Sequence, residues 1–479
     1  MLLASLSIGV FVLVIILIVL QPRISWQGGK RHVSMDYSIA PLLGVGILLL
    51  TFQVDPSVLL AGIVGTATIR PYMIIVLFFS LAYICISIDM TGFFEFLALR
   101  TAKRAGSSGT KLFSSFFLLS SVLTVFTSND IVILTLTPII LYFCKYTKSN
   151  PFPYLIGQFF AANIWSVALY VGNPTNIIVA QAYNLTFSEY SAWMLFPTVA
   201  AGLACYGLLR LAFRVDLSRS IVPPDIKPES ALKDRPGAVF GLVVLGACLV
   251  TLALAPVFHL DMGLICLSFA CVMVGKDVAF EARVRARPPH SHVPVLDNIV
   301  DCPGNGKPCS IWHSVRIAAG RMPWKIMPFV FGMFIMVEIL SAAGWIGWLA
   351  AGLATIQSWL GAIGGTISMV FLSSMACNAM NNQPMTILFT RAIQDGAFAG
   401  IVSPGVATAS MYGLIMGSNF GANFTLIGAL AGIMWSSISR SNGTAISYKE
   451  FAKEGFKIMP VVVLVACAVL ALEIGIVLA

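Results

Sequence analysis

The chain has 479 residues, 58% of them hydrophobic and 10% charged, with a mean hydropathy of +0.90. A soluble domain carries about 25% charged residues, so a soluble globular fold is excluded and an all-α polytopic membrane protein is expected, in contact with lipid. The net charge of +9 would suit a nucleic-acid partner, but the basic residues sit beside apolar runs, where they act as an orientation signal, and no nucleic acid is expected.

The run 2–20 lacks a basic leader and a small-residue cleavage site, so it reads as a first span rather than a removed signal peptide. Further spans are expected at 37–51 and 70–88, in a hairpin of 111–126 with 131–145, across 154–185, and at 193–213, 237–256 and 261–278. The chain then gives 324–341, a hairpin of 361–378 with 383–393, an interrupted span 404–436, and 456–478. The stretch PSVLLAGIVGTATI is too short to cross and reads as re-entrant or interfacial. The segments 91–105 and 343–358 carry Trp, Phe and charges suited to helices lying along the interface. Period-two alternation, the mark of an outer-membrane barrel, is absent.

Four polar interruptions organise these spans. Thr127, Ser128, Asn129 and Asp130 break the first hairpin, and Met380, Asn381, Asn382, Gln383 and Pro384 break the second. Gly172-Asn173-Pro174-Thr175-Asn176 interrupts the span 154–185, and Gly421-Ala422-Asn423-Phe424-Thr425 the span 404–436. An ungapped overlay of 70–138 on 322–390 pairs Pro71 with Pro323, Gly92 with Gly344, Gly109 with Gly361 and Asn129 with Asn381. Polar breaks at corresponding places of two halves point to a transporter site built twice, in inverted-topology repeats. The expected division is 1–215 (first span and first repeat), 216–322 (linkers and two spans) and 323–479 (second repeat).

Positive charge supports the inversion. With the loop 21–36 in the cytoplasm, all but Arg70 and Arg391 of the 29 Lys and Arg lie on or near the inner side. The linkers 216–236 and 279–322 are then cytoplasmic, which argues against a disulfide between Cys302 and Cys309. The Asn184-Leu185-Thr186 triplet faces outward, too close to the membrane for glycosylation. The expected location is a plasma membrane or a bacterial inner membrane.

Non-helical backbone at membrane depth requires protein or a watery cavity around it, so the four breaks are expected to share a polar site. Half-helix N-termini there favour hydrogen-bond acceptors. Asn129, Asn173, Asn176, Asn381, Asn382, Gln383 and Asn423 add amides, and Thr127, Ser128, Thr175 and Thr425 add hydroxyls. Such a set suits a neutral hydroxylated solute, an anion, or a cation such as sodium near Asn129 and Asn381. The apparent absence of an embedded Arg favours a neutral solute or an anion neutralised by cations. Asp130 is read as the coupling carboxylate, against a helix cap; Glu338 is balanced between a proton or cation site and a packed structural acid. Cys377 reads as core packing. The five histidines, His32, His259, His290, His292 and His313, lie in or near loops, so neither a metal centre nor a membrane enzyme is expected, and no cofactor beyond a coupling proton or sodium. No P-loop occurs, so ATP drive would need a separate ATPase subunit.

The motifs TGFFEFLALRTAKRAG, TSNDIVILTLTPII, VGNPTNIIVA, ACNAMNNQPMTIL and GSNFGANFTLIGALAGIMW together resemble the arsenite permease and sodium/proton antiporter group of the ion transporter superfamily, which includes citrate and dicarboxylate carriers. The resemblance implies inverted repeats with two re-entrant hairpins, often in a homodimer, and a transport domain moving against a scaffold. It matches Asn129 and Asp130 to the first hairpin motif and Asn381, Asn382 and Pro384 to the second. Asp130 and Met380-Asn381-Asn382 depart from the double Ser-Asn-Thr signature of sodium-coupled dicarboxylate carriers. The resemblance therefore implies an ion-coupled secondary transporter, arsenite or antimonite extrusion first, with sodium/proton antiport or an anion carrier as alternatives.

Overall fold

The computed structural model describes residues 2–26, 31–34, 36–51, 54–66, 69–218, 220–221, 227–285 and 312–478. Most of the 279–322 linker, including His290, His292, Cys302 and Cys309, lies outside the described residues. A short hairpin, β1 (Arg23–Trp26) with β2 (Arg31–Ser34), accompanies a helical chain. The first helices are α1 (Leu2–Leu20), α2 (Ala40–Leu49), α3 (Pro56–Val64), α4 (Pro71–Met90), α5 (Phe93–Ala105), α6 (Gly109–Phe126) and α7 (Asn129–Thr147). The middle of the chain forms α8 (Phe152–Trp165), α9 (Pro174–Ala182), α10 (Phe187–Ala212), α11 (Arg214–Leu217), α12 (Arg235–Phe258), α13 (Met262–Arg285) and α14 (His313–Arg321). The last are α15 (Ile326–Ala342), α16 (Trp345–Met380), α17 (Asn382–Gln394), α18 (Gly396–Ala399), α19 (Pro404–Phe420), α20 (Leu430–Ser441) and α21 (Tyr448–Leu478).

Among the described residues, eight helices are long and apolar enough to cross a membrane: α4, α6, α7, α10, α12, α13, α16 and α21. The protein is an all-α polytopic membrane protein. One expected span is corrected. The run 37–51 forms only the ten-residue α2, about 15 Å long and too short to cross. Residues 37–39 are spent in a turn before Pro41 starts the helix, and Thr51 Oγ1 closes the other end on Leu48 O at 2.6 Å. The interfacial stretch 343–358 belongs to the first arm of α16, which breaks at Gly361 (φ +65°) before the hairpin arm begins.

The chain forms two compact units, neither contiguous in sequence. The first comprises Met1–Ile75, Asn163–Leu208 and Pro323–Ala479. Its centre is the crossing of α16 with α19, and α19 meets its partner through glycines one turn apart. A methyl at Gly413 would lie 3.1 Å from Met369 Cβ, at Gly417 1.8 Å from Ser373 Oγ, and at Gly421 2.9 Å from Cys377 Cβ. Lipid tails are as apolar as leucine, so close backbone packing of this kind takes over part of the role that hydrophobic burial has in water.

The second unit comprises Val76–Ala162 and Leu209–Met322. The arms α6 and α7 pack here with α8 around a ring cluster, in which Phe116 meets Phe143 edge-on at 5.9 Å and Tyr154 at 6.5 Å. Helix α5 is amphipathic, as its sequence indicates: Phe94, Ala98, Leu99, Ala102 and Ala105 are buried, and Lys103 and Arg104 are exposed near its C-terminal end.

Candidate functional site

Three of the four interruptions come together inside the first unit. The apolar run of α8 ends at Trp165 because the amide and hydroxyl groups that follow satisfy the backbone in place of a continued helix. Asn173 caps α9, its Oδ1 accepting from Thr175 N at 3.1 Å, and Pro174 occupies the first turn, where a missing N–H costs nothing. Gly172 admits no side chain, because a Cβ there would lie 2.3 Å from Ser166 O. In the other interrupted span, α19 stops at Phe420, and Gly421–Asn423 tighten into a 3-10 turn ahead of α20.

These breaks are joined by a buried amide network centred on Asn419. Its Oδ1 accepts from Asn173 Nδ2 at 2.8 Å and Ser166 Oγ at 2.9 Å. Its Nδ2 donates to Asn176 Oδ1 at 2.7 Å and to Ile415 O at 2.8 Å. Asn163 Nδ2 donates to Asn423 Oδ1 at 2.9 Å, and Ser418 Oγ lies 3.3 Å from Thr175 Oγ1. All eight of these side-chain positions, from Asn163 to Asn423, are buried.

The second hairpin adds its own break. Asn381 has φ +72° and ψ 153°, a backbone region nearly restricted to glycine and costing about 1–3 kcal/mol. Surrounding bonds hold it there: its N–H donates to Cys377 O at 2.7 Å and its Nδ2 to Ile427 O at 3.1 Å. Asn378 donates to Gly421 O at 2.9 Å and accepts from Thr425 Oγ1 at 2.5 Å, tying the end of α16 to the break after α19. Gln383, in the first turn of α17, is buried, yet its Oε1 has no hydrogen-bond partner among the described residues. Cys377 packs against α19 with its thiol directed at Gly417 O and Ser418 O.

The first hairpin break belongs to the second unit. Thr127 Oγ1 bonds back to Leu123 O at 2.7 Å, Ser128 caps α7 by accepting from Ile131 N at 3.3 Å, and Asn129 Oδ1 accepts from Asp130 N at 2.9 Å. Asp130 is half-buried in the first turn of α7, and its carboxylate accepts no hydrogen bond among the described residues. Glu338, in the first unit, is ion-paired: Arg391 donates to its Oε2 at 3.0 Å, with side-chain exposures of 18% and 12%. An embedded arginine is therefore present, paired with that acid through Nη2, while its buried Nε–H has no hydrogen-bond partner among the described residues. Asn163, Ser166, Asn378, Ser418 and Asn419 were not singled out in the sequence, because they lie within or just beyond helices rather than at the obvious gaps. Their signal was an amide inside an apolar run, as in FFAANIW and LIMGSNF.

A cavity of about 420 Å³ opens near the far ends of α9 and α19, lined by Tyr183, Asn184, Glu189 and the stacked pair Trp193 and Tyr412. Tyr412 lies two turns, about 10 Å, along α19 from Asn419.

A buried array of amides and hydroxyls on interrupted helices suits selective binding of a small polar solute rather than chemistry on it. A family model described as Citrate transporter matches residues 12–413. The chain belongs to the citrate transporter family. This member of the citrate transporter family is similar to an "Arsenical pump membrane protein" of Yersinia enterocolitica, 28% identical over 98% of this chain and 99% of the relative. The protein of the same description from Escherichia coli K12 is 27% identical over 98% of both chains. A 46 kDa membrane protein of Mycobacterium leprae is 25% identical over 80% of this chain and 82% of its own. Among solved structures, the YdaH transporter of Alcanivorax borkumensis, described as having an unusual topology, aligns over 99% of this chain and 98% of its own. Its TM-score is 0.53 at 14% identity, a likeness of fold. The family and these relatives place the chain in the ion transporter superfamily, as a multi-pass membrane secondary transporter of anion-type solutes.

Proposed function

We propose that this transporter moves a small oxyacid in its neutral, hydroxyl-bearing form, arsenite or antimonite first, by ion-coupled extrusion. Gln383 carries the reading. A buried amide oxygen without a donor is costly to leave unmatched, and a solute O–H supplies that donor, whereas a fully ionised carboxylate brings acceptors alone. The charge pattern agrees: no Lys or Arg occurs between 149 and 209, 326 and 390, or 392 and 439, the stretches holding three of the breaks, and Arg391 is paired with Glu338. The relatives described as arsenical pump proteins agree with it too.

The test is flux in proteoliposomes with arsenite, antimonite, citrate and sulfate, with and without pH and sodium gradients. Gln383→Leu is expected to lower arsenite flux at least about tenfold while Tm stays level or rises, because an apolar replacement removes an unmatched polar group. Full arsenite flux in that variant, or a preference for ionised citrate, would overturn the reading. The second reading, a citrate-type anion carrier, is favoured by the family model's description and predicts that preference.

Coupling is assigned to Asp130, since of the two candidate acids Glu338 already has a compensating cation. Asp130→Asn is expected to leave a folded protein whose flux no longer responds to a pH gradient; an unchanged response removes Asp130 from the scheme. The paired breaks and the resemblance of motifs support inverted repeats, re-entrant hairpins and elevator-type alternating access in a homodimer, in a bacterial inner membrane.

A further inference from the structure

The second unit contains a buried charge cluster that takes no part in the proposed site. Asp277, on α13, is 4% exposed. Its Oδ2 accepts from Tyr83 Oη at 2.8 Å, and both of its oxygens lie 2.9 Å from Ser87 Oγ. Tyr83 and Ser87 are one turn apart on α4. The ammonium of Lys276 completes the cluster, 2.7 Å from Asp277 Oδ1 and 3.2 Å from Ser87 Oγ.

The position of that ammonium is unusual. Neighbouring residues on a helix do not face each other; ion pairs along a helix use spacings of three or four. Lys276 therefore bends its stem around the helix to place Nζ against two oxygens of the cluster. A carboxylate and hydroxyls are the ligand types that hard cations select, and each hydroxyl keeps lone pairs for a cation while donating to the carboxylate. The other charges nearby are committed elsewhere. Asp89 on α4 pairs with Arg321 of α14 at 3.0 Å, and Glu281, one turn beyond Asp277, accepts from Ser314 Oγ at 2.5 Å. Helix α12 contributes no acid, its ionisable side chains being Arg235 and Cys248, and α14 adds His313 and Arg316. Asp277 and Lys276 thus balance each other.

We propose that Asp277, Ser87 and Tyr83 form a seat for a monovalent cation and that Lys276 is its built-in occupant, so that the second unit takes up its ion-bound packing without sodium. The lysine stands in for a free ion of the same charge, and removing its head should return the seat to solution cations.

The experiment follows Tm by tryptophan fluorescence on the full-length protein in detergent, at constant ionic strength in choline, lithium, sodium or potassium chloride. The wild type is expected to melt at one temperature in all four salts. Lys276→Ala should melt lower in choline and recover with sodium or potassium, saturably, by roughly 5 °C. Lys276→Ala combined with Asp277→Asn should show no such recovery. Lys276→Ser, which leaves a further oxygen at the seat, gives the same reading should the alanine variant fail to accumulate. Equal melting of Lys276→Ala and Lys276→Ser in choline and sodium would overturn the proposal, leaving an ordinary ion-pair clamp. So would a wild type stabilised by sodium as strongly as the variants, or a recovery that survives loss of the Asp277 carboxylate.

Discussion

Replacing Asn419 with alanine is expected to lower stability by about 3 kcal/mol or more and to abolish transport, although the proposed solute contacts lie on other side chains. The amide of Asn419 uses both acceptor and both donor positions, so it has no remaining capacity for a solute and serves to position the two interrupted spans. Alanine leaves Ser166 Oγ, Asn173 Nδ2 and Asn176 Oδ1 buried with one partner fewer each. Interhelical hydrogen bonds in membrane proteins average only about 0.6 kcal/mol, but a stranded buried group costs about 1–3 kcal/mol, and Asn173 Nδ2 and Asn176 Oδ1 are stranded together, while Ser166 Oγ keeps its bond to Asn163 O at 2.9 Å. Leucine should do no better than alanine, since it fills volume without matching those groups. Aspartate should be worst: it keeps the acceptors but turns oxygens toward Asn176 Oδ1 and Ile415 O, and it buries a charge with no cation beside it. Tm and arsenite flux across the three variants check the order. Retention of both within error by Asn419→Ala would show that the network does not hold the breaks in place.

Gln383→Leu gives the opposite pattern, and the contrast separates positioning from binding. Where every polar group is matched, removing one strands its partners; where a group is unmatched before the solute arrives, removing it costs function and not stability.

Much of this arrangement was legible in the sequence because lipid makes polar interruptions conspicuous. Ser128, Asn173 and Asn381, singled out as gap residues, each cap the helix that follows a break, since a backbone leaving the helix at membrane depth needs an immediate side-chain partner. Asn163 and Asn419 were less visible. They lie in or beside regular helices and satisfy groups that belong to other breaks, so their role depends on pairings separated by 260 and 246 residues, as in Asn163 with Asn423 and Asn173 with Asn419. The pairing of Glu338 with Arg391 was illegible for the same reason. The orientation rule treats Arg391 as a loop charge on the outer side, whereas packing of α15 with α17 brings it onto an acid 53 residues away. Composition likewise marked 37–51 as apolar without revealing that the helix would use only ten of its residues.

The glycine seam of α19 sets the other large effect, expected from Gly417→Val. Even the first atom of a side chain at 417 would fall 1.8 Å from Ser373 Oγ and 2.7 Å from Val370 O. The serine hydroxyl can be removed, but the carbonyl belongs to the backbone of α16 and cannot move without shifting the helix. Gly417→Ala is therefore expected to cost about 1–3 kcal/mol, the usual range for overpacking, and Gly417→Val to prevent accumulation of folded protein. Ser373→Ala should recover part of the loss in Gly417→Ala, because it removes the nearest obstruction and leaves the carbonyl contact. The double variant then shows a positive coupling that neither change predicts alone. Neighbouring Ser418 and Asn419 carry the bonds to α9, so a shift of α19 away from α16 also displaces the amide centre. Flux should consequently fall with stability across this series, unlike in Gln383→Leu, and a stable Gly417→Val protein with full flux would mean that α19 does not need this close approach to hold the site.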